Sequence, residues 1–318
     1  MIRCVDPRTV FFVTMGWCCI EWSTGKPESV TGGTTMAIFT NQATLTYNNN
    51  IINSNITTGE IREVLTITKN AVLGTYGRDD DVTYVINIRN TGTLPFTGLT
   101  LTDDLGAYTA ETLTLVPLTY ADGSLNYFVN GVSQPSPAVT AGPPLTVSGI
   151  TVPAGGTATI LYTARANGFA PLDTESSITN SVTLSGGGIL PITDSETVNA
   201  AAEADLTISK SLCPAVVTEN GQITYTFVIQ NTGNTPVVAT DNAVINDTFD
   251  PALTDLTVTF NGTVWSAPAN YTYSPATGVF ATNPGQITVP AATFSRNETT
   301  GEVIIQPGIS TLTVTGTI

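Results

Sequence analysis

Much of this chain is written twice, and that repetition limits what it can fold into. LTITK at residues 65–69 returns as LTISK at 206–210, and VTYVINIRNTG at 82–92 returns as ITYTFVIQNTG at 223–233. The offset is 141 residues in both cases (65 to 206, 82 to 223), so no gap interrupts the first third of the unit. TLTDDLG at 100–106 then answers VINDTFD at 244–250, and the turn VNG at 129–131 answers FNG at 260–262. Both copies go on to a Pro-Gly turn and a Thr-rich strand, VPAGGTATILYTA at 152–164 and QPGISTLTVTGTI at 306–318. Two copies within 318 residues predict two like domains, each long enough to bury its own core.

The units read as strands. Val82, Tyr84, Ile86 and Ile88 alternate with Thr83, Val85, Asn87 and Arg89, the period of a half-buried strand. NTG, ADG, VNG, PAGG and NPG supply turns at short intervals, and no helical period is sustained. The expected fold is all-β: two tandem immunoglobulin-like antiparallel β-sandwiches preceded by an extra N-terminal β-hairpin. The domains read as a leader at 1–35, a hairpin at 36–62, domain one at 63–202 and domain two at 203–318.

Composition narrows function. With 25 Asp+Glu against 10 Lys+Arg, the net charge of −15 speaks against nucleic acid and against anionic membrane surfaces. Few charges and abundant Thr, Asn and Gly suit an extracellular β-protein. There is no histidine, which removes the usual general base, the Ser-His-Asp and Cys-His arrangements and the commonest metal ligand. No enzyme activity, cofactor or metal is expected, and the acidic runs DDD at 79–81 and DD at 103–104 read as solvated turns. Cys4, Cys18 and Cys19 lie in the leader, and Cys213 reads as a small buried hydrophobe. The leader has two readings. It is an upstream extension with translation starting at Met36, or a secretory signal whose apolar run VFFVTMGWCCI lacks a cleavage site and is too short to span a bilayer.

The ends of the chain do not match. Copy one closes with SITNSVTLSGGGILPITDSETV at 177–198, a hairpin in the making, whereas copy two stops at Ile318, where that hairpin is due. Near-identical text stands at the front: FTNQATL at 39–45 answers ITNSVTL at 178–184. The closing piece is placed first. Only Arg62 to Val64 separate it from copy one, a reach of about 10 Å. Closure within one molecule requires the domains to fold back side by side, but closure onto the next molecule requires no bend. A head-to-tail contact of that kind builds an open filament and covers exposed strand edges. The alternative is a monomeric adhesin or stalk with the hairpin packed in cis.

Past Lys26 the chain has two lysines, Lys69 and Lys210, at one repeat position. Lys69 shares strand parity with Leu65 and Ile67, and Lys210 with Leu206 and Ile208, so both ammonium groups are expected inside, where they need partners. Parity supplies them: Asp103 follows Leu99 and Leu101, Asp247 follows Ile245, Asn180 precedes Val182 and Leu184, and Asn41 precedes Ala43 and Leu45. Lys, Asp and Asn in a dry core are the ingredients of an isopeptide bond. Burial favours a neutral amine as nucleophile and a protonated acid to activate the amide. The expected triads are Lys69, Asp103 and Asn180 within copy one, and Lys210, Asp247 and Asn41, the last from the hairpin.

Across LTITK, VTYVINIRNTG, TLTDDLG, VPAGGTATILYTA and ITNSVTL, the text resembles the prokaryotic cell-surface repeat called domain of unknown function eleven. That resemblance covers copy one and the start of copy two. It implies an immunoglobulin-like module of secreted or wall-associated bacterial proteins. The combined expectation is a bacterial surface or fibre structural protein whose principal partner is itself, with other surface proteins or glycans as further partners and no membrane span.

Overall fold

A computed structural model describes residues 35–318; the leader, with Cys4, Cys18 and Cys19, lies outside the described residues. Contacts divide the chain into a hairpin unit ending at Glu63 and a second unit, Val64–Ile318, that holds both repeat copies. The protein is all-β: among the described residues the one helical element is a short 3-10 turn, Ala239–Asp241.

The hairpin unit consists of β1 (Thr35–Asn41), β2 (Thr44–Tyr47), β3 (Asn50–Asn53) and β4 (Thr57–Arg62). β1 pairs with β4 and β2 with β3, both antiparallel. Asn48 and Asn49 make the tip, both at positive φ (46° and 64°), which Asn tolerates better than most residues. Asn41 stands opposite Thr57 but Thr44 stands opposite Asn53, so the ladder slips by one residue between them. Continuous strand parity from Asn41 through Ala43 to Leu45 therefore does not hold. Phe39, Leu45, Tyr47, Ile51, Ile52 and Ile56 are all exposed.

Domain one is built from β5 (Leu65–Ala71), β6 (Thr75–Tyr76), β7 (Asp81–Asn90), β8 (Phe96–Asp103), β9 (Leu145–Val152), β10 (Thr157–Ala166), β11 (Ser177–Gly186) and β12 (Ile192–Ala200). One sheet runs β5-β7-β10 and continues through two short strands, and the other runs β9-β8-β11-β12-β6. The alternation in β7 has its expected consequence: Val82, Tyr84, Ile86 and Ile88 are buried with Leu99, Leu101, Val182 and Leu184 in one core. Each such side chain contributes about 1.5–3 kcal/mol of apolar burial.

Domain two repeats the plan with β13 (Leu206–Cys213), β14 (Gln222–Asn231), β15 (Asn246–Thr248), β16 (Thr254–Phe260), β17 (Val279–Thr282), β18 (Thr293–Arg296), β19 (Val303–Gln306) and β20 (Gly308–Thr317). Its larger sheet runs β13-β14-β20-β16, and β15 pairs with β17 in the facing sheet. The Asn of each NTG motif staples its domain in the same way. Asn90 Nδ2 donates to the carbonyls of Leu94 (2.8 Å) and Pro153 (2.9 Å), and Asn231 Nδ2 to those of Thr235 (2.8 Å) and Pro290 (3.0 Å).

That correspondence corrects the alignment of the last third. Pro290, not Pro307, is the counterpart of Pro153, and ITVPA at 150–154 is repeated letter for letter at 287–291. The hairpin β18–β19 is then an insertion ahead of β20. It packs against domain one: the Val303 N–H donates to the Gly168 carbonyl (2.8 Å), and the Arg296 guanidinium lies 5.3 Å from the centre of the Tyr108 ring. At the joint, Asn234 Nδ2 donates to the carbonyls of Leu172 (2.9 Å) and Ala201 (2.8 Å). Replacing residues 294–305 by a short Gly-Ser turn is expected to leave both cores folded but loosen the joint. Limited proteolysis at 200–205 should accelerate, and an unchanged cleavage rate would show that the insertion does not clamp the domains.

Candidate functional site

In domain one the three expected residues converge. Lys69 on β5, Asp103 at the end of β8 and Asn180 on β11 are each at most 2 % exposed. Lys69 Nζ donates to Asp103 Oδ2 at 2.5 Å, and its ammonium lies 4.6 Å from the centre of the Tyr84 ring. Burial pushes the lysine below its ordinary 10.5, against the opposing pull of Asp103. Asp103 Oδ1 accepts the Leu105 N–H (3.0 Å), and Asn180 Oδ1 accepts the Gly106 N–H (3.2 Å).

Three further residues complete the site. Tyr162 on β10 joins all three groups: its hydroxyl donates to Asp103 Oδ2 (2.7 Å) and accepts from Lys69 Nζ (3.2 Å) and Asn180 Nδ2 (3.0 Å). Burial holds its phenol well above the ordinary 10. The Lys69 N–H donates to Asp194 Oδ2 on β12 (2.7 Å). Asp104 does not form a solvated turn; its Oδ1 accepts the N–H groups of Gly106 and Ser181, both at 2.9 Å, and so ties the β8 turn to β11. The signal for Tyr162 was its parity with Ile160 and Ala164, but that signal reads equally as plain core.

Domain two differs. Lys210 Nζ and Asp247 Oδ2 are again 2.5 Å apart, and the Tyr225 ring lies under the ammonium at 4.6 Å, as Tyr84 does in copy one. Yet the Lys210 side chain is 39 % exposed, and every residue of β13 is exposed, including Leu206 and Ile208. The expected burial of Lys210 is therefore corrected within this unit. In domain one the hairpin β11–β12 covers β5 and pairs with the edge of β8, and among the described residues domain two has no such piece. Cys213, at the end of the bare strand, is exposed rather than buried for the same reason. Asn41 lies on the hairpin unit, where it too is exposed.

The hairpin and β11–β12 share a register at the asparagine. Asn180 stands opposite Glu196 and Ile178 opposite Val198; Asn41 stands opposite Thr57 and Phe39 opposite Gly59, each pair displaced by 139. Two features of the first site are not repeated in the second. The residue opposite Tyr84 is Tyr162, whereas the residue opposite Tyr225 is Val314, and the position of Gly106 is taken by Asp250. Among the described residues no group of three or more His, Cys, Asp or Glu side chains is placed to hold a metal, and no helix is long and apolar enough to cross a membrane.

No family model matches the chain, and no curated protein matches it. Among solved structures it is similar to the C-terminal domain of the AgI/II polypeptide BspA of Streptococcus agalactiae, at 12 % identity over 80 % of this chain and 91 % of that one, with a TM-score of 0.31. It is also similar to the pilus backbone protein RrgB of Streptococcus pneumoniae (13 %, 76 % and 55 %, TM-score 0.32). A third likeness is to the collagen-binding domain of a Staphylococcus aureus adhesin (14 %, 43 % and 97 %, TM-score 0.28). At these TM-scores the likeness is distant and says nothing of what this chain does.

A site of this kind makes stability depend on charge balance. In an Asn180→Ala background, where no bond can form, Asp103→Ala leaves a buried ammonium unpaired and is expected to cost about 3–5 kcal/mol in denaturant unfolding. Because folded Lys69 releases its proton below the unfolded value of 10.5, the unfolded chain holds more protons in that window. The Asn180→Ala protein should therefore gain stability as pH rises toward 10.5, and the Lys69→Met Asn180→Ala protein should lack that gain.

Proposed function

We propose that this is an extracellular structural protein of a bacterial surface or fibre, which assembles head to tail by inserting its N-terminal hairpin into domain two of the next subunit. The observation that carries this reading is that domain two is bare where domain one is closed. Leu65 is 7 % exposed under its covering hairpin, whereas Leu206 is 42 % and Ile208 57 % exposed. The outer edge of β15 also has no partner strand among the described residues.

Domain one supplies the docked register. The register transfers as far as the break after Asn41: Phe39 takes the place of Ile178, which is buried in domain one, and Asn41 takes that of Asn180. β12 pairs with β6 in parallel through Asn199 and Thr75, and the counterpart of Thr75 is Val216, 88 % exposed. Docking covers the apolar face of β13 together with that of the hairpin, and it extends the sheet edge of domain two. It also brings Asn41 to the Lys210–Asp247 pair. Lys69 and Asn180 form an isopeptide bond within domain one; Lys210 and Asn41 form one between subunits. Each is a single turnover with loss of one ammonia, so the protein is a building material and not an enzyme.

The test is denaturing electrophoresis with intact-mass measurement on protein purified from Met36 onward, beside native sizing. A boiling-resistant ladder that disappears in Asn41→Ala and in Lys210→Ala is the expected result. Phe39→Asp places a charge where domain one buries Ile178 and should leave monomers under native conditions. Wild-type protein that stays monomeric at high concentration would sink the assembly. Native polymers without a ladder would confine the covalent chemistry to domain one.

A further inference from the structure

The leaving group of the Lys69–Asn180 reaction is the amide nitrogen, and its surroundings are specific. The Gly106 N–H can only donate, so the atom it faces is the amide oxygen, and this orients Nδ2 toward Tyr162. Among the described residues the hydrogen-bond partner of Nδ2 is the Tyr162 hydroxyl, at 3.0 Å. Asp103, which takes up the lysine proton, has no hydrogen bond to Asn180; it reaches the amide through Tyr162 at 2.7 Å.

We propose that Tyr162 is a catalytic residue of bond formation, passing the proton from Asp103 to the leaving nitrogen of Asn180. This rests on the reading that the bond forms in domain one. Lys69 Nζ first gives one proton to Asp103 Oδ2 and becomes a neutral amine. Its lone pair forms the new bond to Asn180 Cγ, and the carbonyl electron pair moves onto Oδ1, where the Gly106 N–H holds it. The Asp103 carboxyl then protonates the Tyr162 oxygen as the Tyr162 O–H proton moves to Nδ2. The Cγ–Nδ2 bond breaks and ammonia departs. The surplus proton left on Nζ returns to Asp103, so the products are a neutral amide, ammonia and a protonated carboxyl, with charge and atoms balanced.

The geometry around this path is built for it. Gly106 has φ +73°, and a Cβ at that position would stand 2.5 Å from Ile178 Cγ2, so the N–H that holds the carbonyl oxygen requires glycine. Burial keeps the Tyr162 phenol protonated, as a relay that must donate requires. Val314, opposite Tyr225 in domain two where Tyr162 stands in domain one, has no hydroxyl, so the relay belongs to domain one alone.

Refolding the chain from denaturant and following its intact mass against time tests the relay. Wild type should lose one ammonia for the domain-one bond, measured in Asn41→Ala so that no intermolecular bond contributes. Tyr162→Phe should slow that loss about 100-fold or more, within the range for general acid–base catalysis. Because Tyr162→Phe also removes a buried hydrogen bond, a second protein carries a fluorinated tyrosine at 162, which keeps the size but makes the phenol more acidic. Its rate should change and its pH profile should shift, which a packing role does not predict. Equal rates in all three proteins would overturn the relay and leave the bond. A wild-type chain that keeps its full mass would overturn the bond itself.

Discussion

A two-sheet sandwich is stable only when each sheet covers the other. In domain one that condition is met by the last hairpin: β11 extends the sheet at β8, and β12 covers β5 and pairs with β6. The interior of domain one depends on this closure. Without the hairpin, Leu65, Ile67 and Lys69 would lie open to water, as Leu206, Ile208 and Lys210 do in domain two. The burial of the lysine and the placing of Asn180 beside Tyr162 follow from one covering piece, whereas the Lys–Asp pair also forms in domain two without it.

Closure also explains why the same ion pair has different surroundings in the two copies. The Lys–Asp distance is 2.5 Å in both, so proximity alone does not separate them. Water does. Around Lys69 the charged forms have lost their hydration and burial pushes the lysine pKa down, whereas around Lys210 solvent still reaches the side chain. On the assembly proposed above, an incoming hairpin would change three things there together: it would remove water, supply the amide and pair the open strand edge. Reaction would thereby be coupled to correct assembly, since Lys210 in domain two alone has neither dry surroundings nor an amide beside it.

The legible part of the sequence was the part governed by local period and by repetition. The alternation in residues 82–88 predicted the buried face of β7, and the parity of Lys69, Asp103 and Asn180 was enough to bring them to one point, because each lies on an unbroken strand. Parity failed where a strand breaks or lacks a cover. Asn41 and Leu45 are separated by a slipped register, and the burial inferred for Lys210 and Cys213 required a neighbour that their own unit does not contain. The repeated ITVPA was present in the text, yet the Pro-Gly turn at 307–308 offered a competing match, and an insertion of hairpin size hid the true one. Tyr162 was hidden for another reason. An aromatic at core parity carries no sign of whether its hydroxyl serves packing or proton transfer; only the three partners around it distinguish the two.

On the proposal that both bonds form, the placement of the hairpin ahead of domain one has a mechanical sense. Lys69 lies near the start of domain one and Asn180 close to its end, so with that bond made a pull on the ends of the domain runs through residues 65–69, across to 180 and on through 180–200. Residues 70–179, with most of the core, lie off the path of tension. Lys210 stands at the start of domain two in the same way, and Asn41 stands just ahead of Lys69 in the next chain. With both bonds made, the path therefore runs Asn41, Lys69, Asn180, Lys210 and then Asn41 of the following subunit, and each sandwich is bypassed in turn. On that proposal the closing interaction of domain one is reused between subunits, with the hairpin as the joint.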